Sequence, residues 1–380
     1  MPQAFETLGD ATVRRKRSRG RTAAAAIAVT AIVAGGAFAG LRFLPASPSE
    51  PTVGAKVASA PVTSPEQRID DVWPQAAHEM PTKLPDGGKV RPRAFLDETT
   101  VLITAESTFE KADSVLAYNL KNGTTRKLSN IPTPQGTSLF ADGFTAGNGH
   151  IAWWTARKKD GKEIADLWSV PASGGEPAIV TSFPLPPRSR DGLITALTVL
   201  PDGFAWSMGS MGVFKVPFAG GDPQAIAGTQ GLHIFQWPWA GSPGPREHRS
   251  APYQTVLNVE SGERRAAVTR QNSQPLACGI TQCISSLADT TEAGIQGRDG
   301  QEGRKVSLPF SAVGPQALRL DRFLTGDGPG WSALYDIKTG TAVDLKVDAS
   351  GVRYLPGSDP RLLVLPRNDK FLIVNLGSIP

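Results

Sequence analysis

Two cysteines, four histidines and two tryptophan clusters are the residues of this chain most able to do chemistry. Cys278 and Cys283 form a C-x4-C pair. A redox-active pair more often reads C-x-x-C, and a metal site would need ligands that no neighbouring His supplies. A structural disulfide is the expected use if the domain lies outside the cytoplasm. Closing so short a loop adds only modest stability, on the order of 2 kcal/mol.

His78, His150, His233 and His248 are far apart and lack H-x-x-x-H or H-E-x-x-H spacing, so a zinc hydrolase is not supported. They read as ordinary polar or turn histidines. A nucleophile elbow, Gly-x-Ser-x-Gly, does not occur. Gly209-Ser210-Met211-Gly212 and Gly241-Ser242-Pro243-Gly244 read as loops. Neither phosphate-cradling glycine pattern occurs. Asp70, Asp71, Asp321 and Asp327 could serve a glycosidase, but that chemistry needs carboxyl groups roughly 5–10 Å apart, which sequence does not give. No catalytic, cofactor-binding or metal-ligating residue is therefore assigned, and no cofactor is expected.

Trp153-Trp154 and Trp237-Pro238-Trp239 remain. Their plain use is packing between strands. The sharper one is a surface that stacks on sugar or peptide, since exposed aromatics favour interfaces. Strand neighbours alternate sides, so Trp153 and Trp154 cannot face the same way, whereas Trp237 and Trp239 would share a face.

The elements that must position these residues are short strands. From about Ile69 onward the chain alternates apolar and polar residues, punctuated by Gly, Asp and Pro, with no sustained helical period. Strand-like runs end in glycine turns at Gly123, Gly175, Gly221, Gly262, Gly300, Gly340 and Gly377, spaced 52, 46, 41, 38, 40 and 37 residues apart. Seven units of about forty residues match the period of a propeller blade. Packing blades radially buries both faces of each sheet and leaves only short edges. The fold class is all-β, a seven-bladed β-propeller over 71–380. The unit from Ala277 to Pro309 is the least regular. The chain ends just after what reads as the third strand of the last blade. The segment Ala77–Pro85 is expected to supply the missing outer strand beside Phe371–Leu376.

Asp166-Leu-Trp-Ser-Val-Pro-Ala-Ser-Gly-Gly-Glu-Pro and Gly212-Val-Phe-Lys-Val-Pro-Phe-Ala-Gly-Gly-Asp-Pro resemble the TolB-like, WD40-like propeller repeat. Leu200-Pro-Asp-Gly203, ahead of Phe204-Ala-Trp-Ser, is similar to that repeat's Pro-Asp-Gly turn. Several units lack this turn. The resemblance implies a fold and no particular activity. The Ala/Gly/Arg/Pro bias of the N-terminal region resembles a high-GC, actinobacterial protein.

That region carries a second signal. Arg14-Arg15-Lys16-Arg17, Arg19 and Arg21 precede twenty uncharged residues, Thr22 to Leu41. As a helix rising about 1.5 Å per residue these span roughly 30 Å, the hydrocarbon core of a bilayer. Basic residues stay on the cytoplasmic side. The expectation is a cytoplasmic tail at 1–21, a transmembrane signal anchor at 22–44 and a Pro/Ser/Ala-rich spacer at 45–70. The propeller is then extracytoplasmic on a single-pass membrane protein. Cleavage after Ala39 in Ala37-Phe38-Ala39 is the rival reading and gives a secreted domain.

The sequence pI of about 9.2 invites a nucleic-acid reading. It fails on position. Residues 1–44 hold seven Lys/Arg against Glu6 and Asp10, which accounts for the whole net charge of +5. A duplex binder needs its charge on the folded domain. The expected partners are the membrane, through 22–44, and an unidentified protein or envelope ligand. The leading function is a non-enzymatic binding or scaffold module. The alternative is a propeller lyase, glycosidase or quinone-dependent dehydrogenase with its site in the channel.

Overall fold

The computed structural model describes residues 64–108, 111–186, 194–242, 253–268, 273–287, 292–301, 303–308, 312–328, 330–347 and 359–380. The chain divides into two units, Met1–Val57 and Ala58–Pro380, and the second carries every element below. The expected anchor at 22–44, its tail and His248 lie outside the described residues. Among the described residues no helix is long and apolar enough to cross a membrane.

The second unit is a seven-bladed β-propeller. It opens with α1 (Ile69–Val72) and β1 (Ala77–Pro81). Blade 1 is β2 (Lys89–Phe95), β3 (Thr100–Thr108), β4 (Lys111–Asn119) and β5 (Thr125–Asn130). Blade 2 is β6 (Thr137–Gly147), β7 (His150–Lys159), β8 (Lys162–Pro171) and β9 (Ala178–Pro184). Blade 3 is β10 (Ile194–Val199), β11 (Gly203–Met208), β12 (Gly212–Pro217) and β13 (Gln224–Ala225). Blade 4 is β14 (His233–Gln236), β15 (Trp239–Ser242), β16 (Thr255–Asn258) and β17 (Arg264–Ala266). Blade 5 is β18 (Ser273–Cys278), β19 (Gln282–Leu287), β20 (Glu292–Gly297) and β21 (Arg304–Ser307). Blade 6 is β22 (Ala312–Arg319), β23 (Phe323–Gly328), β24 (Trp331–Asp336) and β25 (Thr341–Asp344). Blade 7 joins β26 (Leu362–Arg367) and β27 (Lys370–Asn375) to β1.

Within each four-stranded blade the strands follow chain order and pair antiparallel. The first strands β2, β6, β10 and β14 touch in succession, so they form the inner wall around the axis. A middle strand is covered on both sides, and its two sets of alternating side chains enter different seams. In β7, Ile151 and Trp153 pack between blades 1 and 2, while Ala152, Trp154 and Ala156 pack between blades 2 and 3. In β27, Leu372 and Val374 pack toward blade 6, while Ile373 packs toward blade 1.

The ring closes as the sequence implies. β1 pairs with β27 in register, from Ala77 against Val374 to Pro81 against Lys370. β26 meets β2 as β7 meets β10, second strand against the next blade's first. So β26, β27 and β1 hold the second, third and outer positions. Met80 of β1 shares a core with Val90 and Ile103 of blade 1 and Val364 of blade 7. Ahead of β1, Ile69, Trp73 and Ala76 fill the seam between blades 6 and 7. Gln67 accepts the N–H of Asp344 at 2.8 Å, and Ser64 Oγ donates to Asp344 Oδ2 at 2.9 Å.

Six of the seven expected turn glycines have positive φ, among them Gly123 at 72° and Gly340 at 76°. That backbone region carries no steric cost for glycine. The seventh is different. Gly377 sits in a short 3-10 turn, Leu376–Ser378, with its N–H on Asn375 Oδ1. The outer strand of blade 7 comes from the start of the domain, so no hairpin is needed there.

Candidate functional site

Among the described residues, a cluster of charge lies on β2 and β6 of the inner wall. Lys89, Arg91 and Arg93 fall at alternate positions of β2. Arg91 Nε lies 2.7 Å and Arg93 Nη2 3.5 Å from Glu106 Oε1 on β3, a carboxylate whose side chain is 4% exposed. Arg93 also donates to Thr104 Oγ1 at 3.0 Å and lies 5.0 Å over the ring of Phe144 on β6. Burial lowers its pKa, and the charges of Asp142 and Glu106 oppose that shift. The register of β2 slips between Pro92 and Ala94, so Arg93 is the residue the bulge throws out of the ladder.

β6, opposite, is irregular throughout. Its pairing with β7 shifts three times between Thr137 and Thr145. Bulges re-aim side chains. Here they leave Phe140 39% exposed and Asp142 exposed, in a strand whose Ala141 and Phe144 are core.

Just before β2 the chain makes a tight hairpin. Val90 N–H donates to Thr82 O at 3.1 Å, and Leu84 N–H to Gly88 O at 2.8 Å. Lys83 and Lys89 face each other between those bonds as an isolated antiparallel bridge. This is a non-hydrogen-bonded pair, the arrangement that brings opposed side chains closest. Both lysines are exposed. They line a concavity of about 290 Å³ with Thr82, Val90, Arg91, Glu106 and Phe371.

The residues singled out from sequence do not converge. Cys278 and Cys283 are joined across β18 and β19, with Cα atoms 4.1 Å apart, and both are buried. His78 lies on β1, where burial lowers its pKa, helped by Lys121 and opposed by the Gln75 backbone. His150 stacks on Phe218 at 4.2 Å. His233 is buried on β14, its Nδ1 3.0 Å from Thr195 Oγ1. Asp70 pairs with Arg68 and Arg367. Asp327 accepts from Ser332 at 2.6 Å. Asp71 is exposed on α1 and Asp321 sits in the β22–β23 turn. Among the described residues no three of His, Cys, Asp and Glu are placed to hold a metal ion.

Trp153, Trp154 and Trp239 take the plain use, packing in the core, and form no stacking surface. Trp153 and Trp154 are core residues, one in each flanking seam, because both faces of a middle strand are covered. Trp239 is buried beneath the Arg265 guanidinium, 4.6 Å from its ring. Trp237 precedes a cis Pro238 in the β14–β15 turn and donates its indole N–H to Glu260 at 2.8 Å. The turn separates Trp237 from Trp239, so the two do not share a strand face.

The charged wall and the Lys83–Lys89 bridge were not singled out from sequence. Their signal was the alternation Lys89-x-Arg91-x-Arg93 entering a strand.

No protein-family model matches the chain, and no curated protein matches it in sequence. Solved structures resemble it in architecture. An oligogalacturonate lyase from Vibrio parahaemolyticus shares 11% identity over 79% of this chain and 90% of its own, with a TM-score of 0.47. YCF48 bound to a D1 peptide shares 12% over 78% and 95%, at 0.45. The WD40 β-propeller domain of Doa1 shares 10% over 78% and 96%, at 0.39. The likeness is one of architecture and extends to no site.

Proposed function

We propose that this chain is a non-enzymatic binding propeller of the TolB-like, WD40-like kind. It is held outside a bacterial membrane by the segment at 22–44, with its N-terminus cytoplasmic, and it engages a protein or envelope ligand. The observation that carries this reading is how the propeller spends its charged groups. Glu106 is taken up by Arg91 and Arg93. Asp166 is held by two nitrogens of Arg157, Asp336 by two of Arg322, and Asp359 by Arg361. Such forked pairs fix geometry. A carboxylate so held is poorly placed to move protons. Each described histidine sits on a separate blade. The buried ionisable groups thus build a rigid frame, and recognition is left to the surface. The anchor reading is supported by the uncharged stretch Thr22–Leu41 and the basic cluster before it.

The test is a pull-down with the full-length protein in detergent from envelope extracts, run beside protease accessibility of intact cells. The expected outcome is a saturable partner and cleavage of the propeller from the outside only. Turnover of a polysaccharide by the purified protein, or a propeller shielded in intact cells, would overturn the reading.

A further inference from the structure

We propose that the concavity between blade 7 and blade 1 is an oxyanion site, taking a phosphate or carboxylate group of the bound ligand; this rests on the binding reading above and names the chemistry of its contact. Three features converge. The first is the Lys83–Lys89 bridge. Opposed like charges at a non-hydrogen-bonded pair repel, and a hairpin gains nothing from them unless an anion lies between. The bridge forms where the turn Leu84–Gly88 fixes the register, so the backbone sets the two lysine side chains side by side.

The second is the balance of the lining. Lys83, Lys89 and Arg91 face the space with one carboxylate, Glu106. That carboxylate is already shared between Arg91 and Arg93. Asp86, in the same turn, has its Oδ1 on the Gly88 N–H at 2.9 Å. Among the described residues neither acid forms an ion pair with Lys83 or Lys89.

The third is the floor. Val90 and Phe371 supply an apolar base, and Thr82 lies at its edge, with its Oγ1 on Asp369 O at 2.8 Å. Cations on a dry floor bind an anion more strongly than cations in open water. The mix of two flexible ammonium groups and one guanidinium suits a group with several oxygens. Because β1 closes the ring here, an anion bound between Lys83 and Lys89 also holds the closing strand to blade 1.

Titration calorimetry of the full-length protein in detergent tests this, with inorganic phosphate and galacturonate as separate probes at constant ionic strength. Binding of either probe is expected. Lys83→Ala/Lys89→Ala together should weaken it at least about tenfold, the loss of one or more charge-assisted hydrogen bonds. Lys83→Arg/Lys89→Arg should retain it. Both lysines are exposed, so the variants should keep the wild-type circular dichroism. Phosphate alone binding marks a phosphorylated ligand, galacturonate alone a carboxylated one. In a second readout, the bound probe raises the melting temperature of the wild type and not of the double alanine variant. Unchanged affinity in the alanine variant, or a melting shift that sodium chloride matches at equal ionic strength, overturns the site. If the alanine variant still captures its envelope partner, the site fails and the binding module stands. If the site binds its probe and no partner is captured, the module reading fails alone.

Discussion

Asp359 Oδ2 accepts the backbone N–H of Phe95 at 3.0 Å, so a side chain of the seventh blade satisfies a buried main-chain donor of the first. The two residues lie 264 positions apart. The same carboxylate receives Arg361 Nη2 at 2.8 Å, and Arg361 in turn donates to Phe95 O at 3.3 Å. This latch sits opposite β1 in purpose: one ties the turn at the start of β26 to blade 1, the other ties the outer edge of blade 7 to the start of the domain.

Removing the latch should be costly. Asp359→Ala leaves the Phe95 N–H buried without an acceptor and strips Arg361 of its partner. The expected loss is about 2–3 kcal/mol of unfolding free energy. Asp359→Asn keeps an acceptor and should lose about half as much. Urea denaturation followed by tryptophan fluorescence measures both, and equal effects of the two variants would show that charge alone matters.

The strap before blade 1 makes a separate prediction. Met80 is fully buried in the seam that closes the ring. Met80→Ala should cost about 2–5 kcal/mol. Deleting residues 64–81 removes β1 and uncovers the edge of β27, a strand whose paired side is otherwise filled. Exposed edges recruit other chains. The expected result on size-exclusion chromatography is a shift to oligomer or aggregate, whereas a protein beginning at residue 64 should stay as stable as the full chain.

Much of this architecture was legible because it is periodic. Alternating apolar residues and turn glycines give the number of blades, and the missing outer strand of the last blade points to Ala77–Pro85, of which Ala77–Pro81 forms β1. Gly377 misled for the same reason: it stands at the right interval, but its blade takes its fourth strand from elsewhere. The tryptophans follow their plain reading, and burial removes the sharper one. A middle strand reads as alternating, yet in a propeller both of its faces are covered, so Trp153 and Trp154 each enter a core. The charged wall was harder to see, since Glu106 and Arg93 meet only through the bulge in β2, and the Lys83–Lys89 pairing depends on a turn register that composition does not fix.

The seam between blades 4 and 5 differs from its neighbours. Among the described residues no apolar cluster spans it, while clusters fill the seams on either side. Arg298 takes its place. Its guanidinium is buried and donates to Gly279 O at 2.7 Å, to Gln254 O at 2.8 Å and to Tyr253 O. Burial pushes its pKa down to about 10, against the pull of the Asp321 charge. Three carbonyls from two blades are thus satisfied by one side chain. Arg298→Met keeps the bulk and abandons all three acceptors. It should cost more than about 3 kcal/mol. Hydrogen exchange should then rise first in blades 4 and 5, and uniform loss of protection around the ring would contradict a local role for Arg298.

Asp321 gives the last prediction, and its sign is opposite to that of most carboxylates here. Its Oδ2 accepts the N–H of Thr281 at 2.9 Å and the Thr281 hydroxyl, while Oδ1 is buried with no hydrogen-bond partner. Burial raises its pKa, and those hydrogen bonds only partly offset the shift. A carboxyl group with a raised pKa in the folded state binds its proton more tightly there than in the unfolded chain. Folding is therefore favoured while the group is protonated. That contribution begins to fall as pH rises through the ordinary Asp value near 3.8, and it is gone once pH passes the raised folded value. Asp336 runs the other way: burial would raise it, but Arg322, Thr339 and the Lys338 N–H together hold it low, so its contribution is present at neutral pH and lost in acid. Asp321→Asn removes the charge that the buried Oδ1 cannot pair. The variant should be more stable than the wild type at pH 7, with the gap closing as pH falls toward 4. Melting temperatures of both proteins across that range measure it. A gap that widens in acid would mean that the ionised carboxylate is stabilising and that Oδ1 finds a partner in solution.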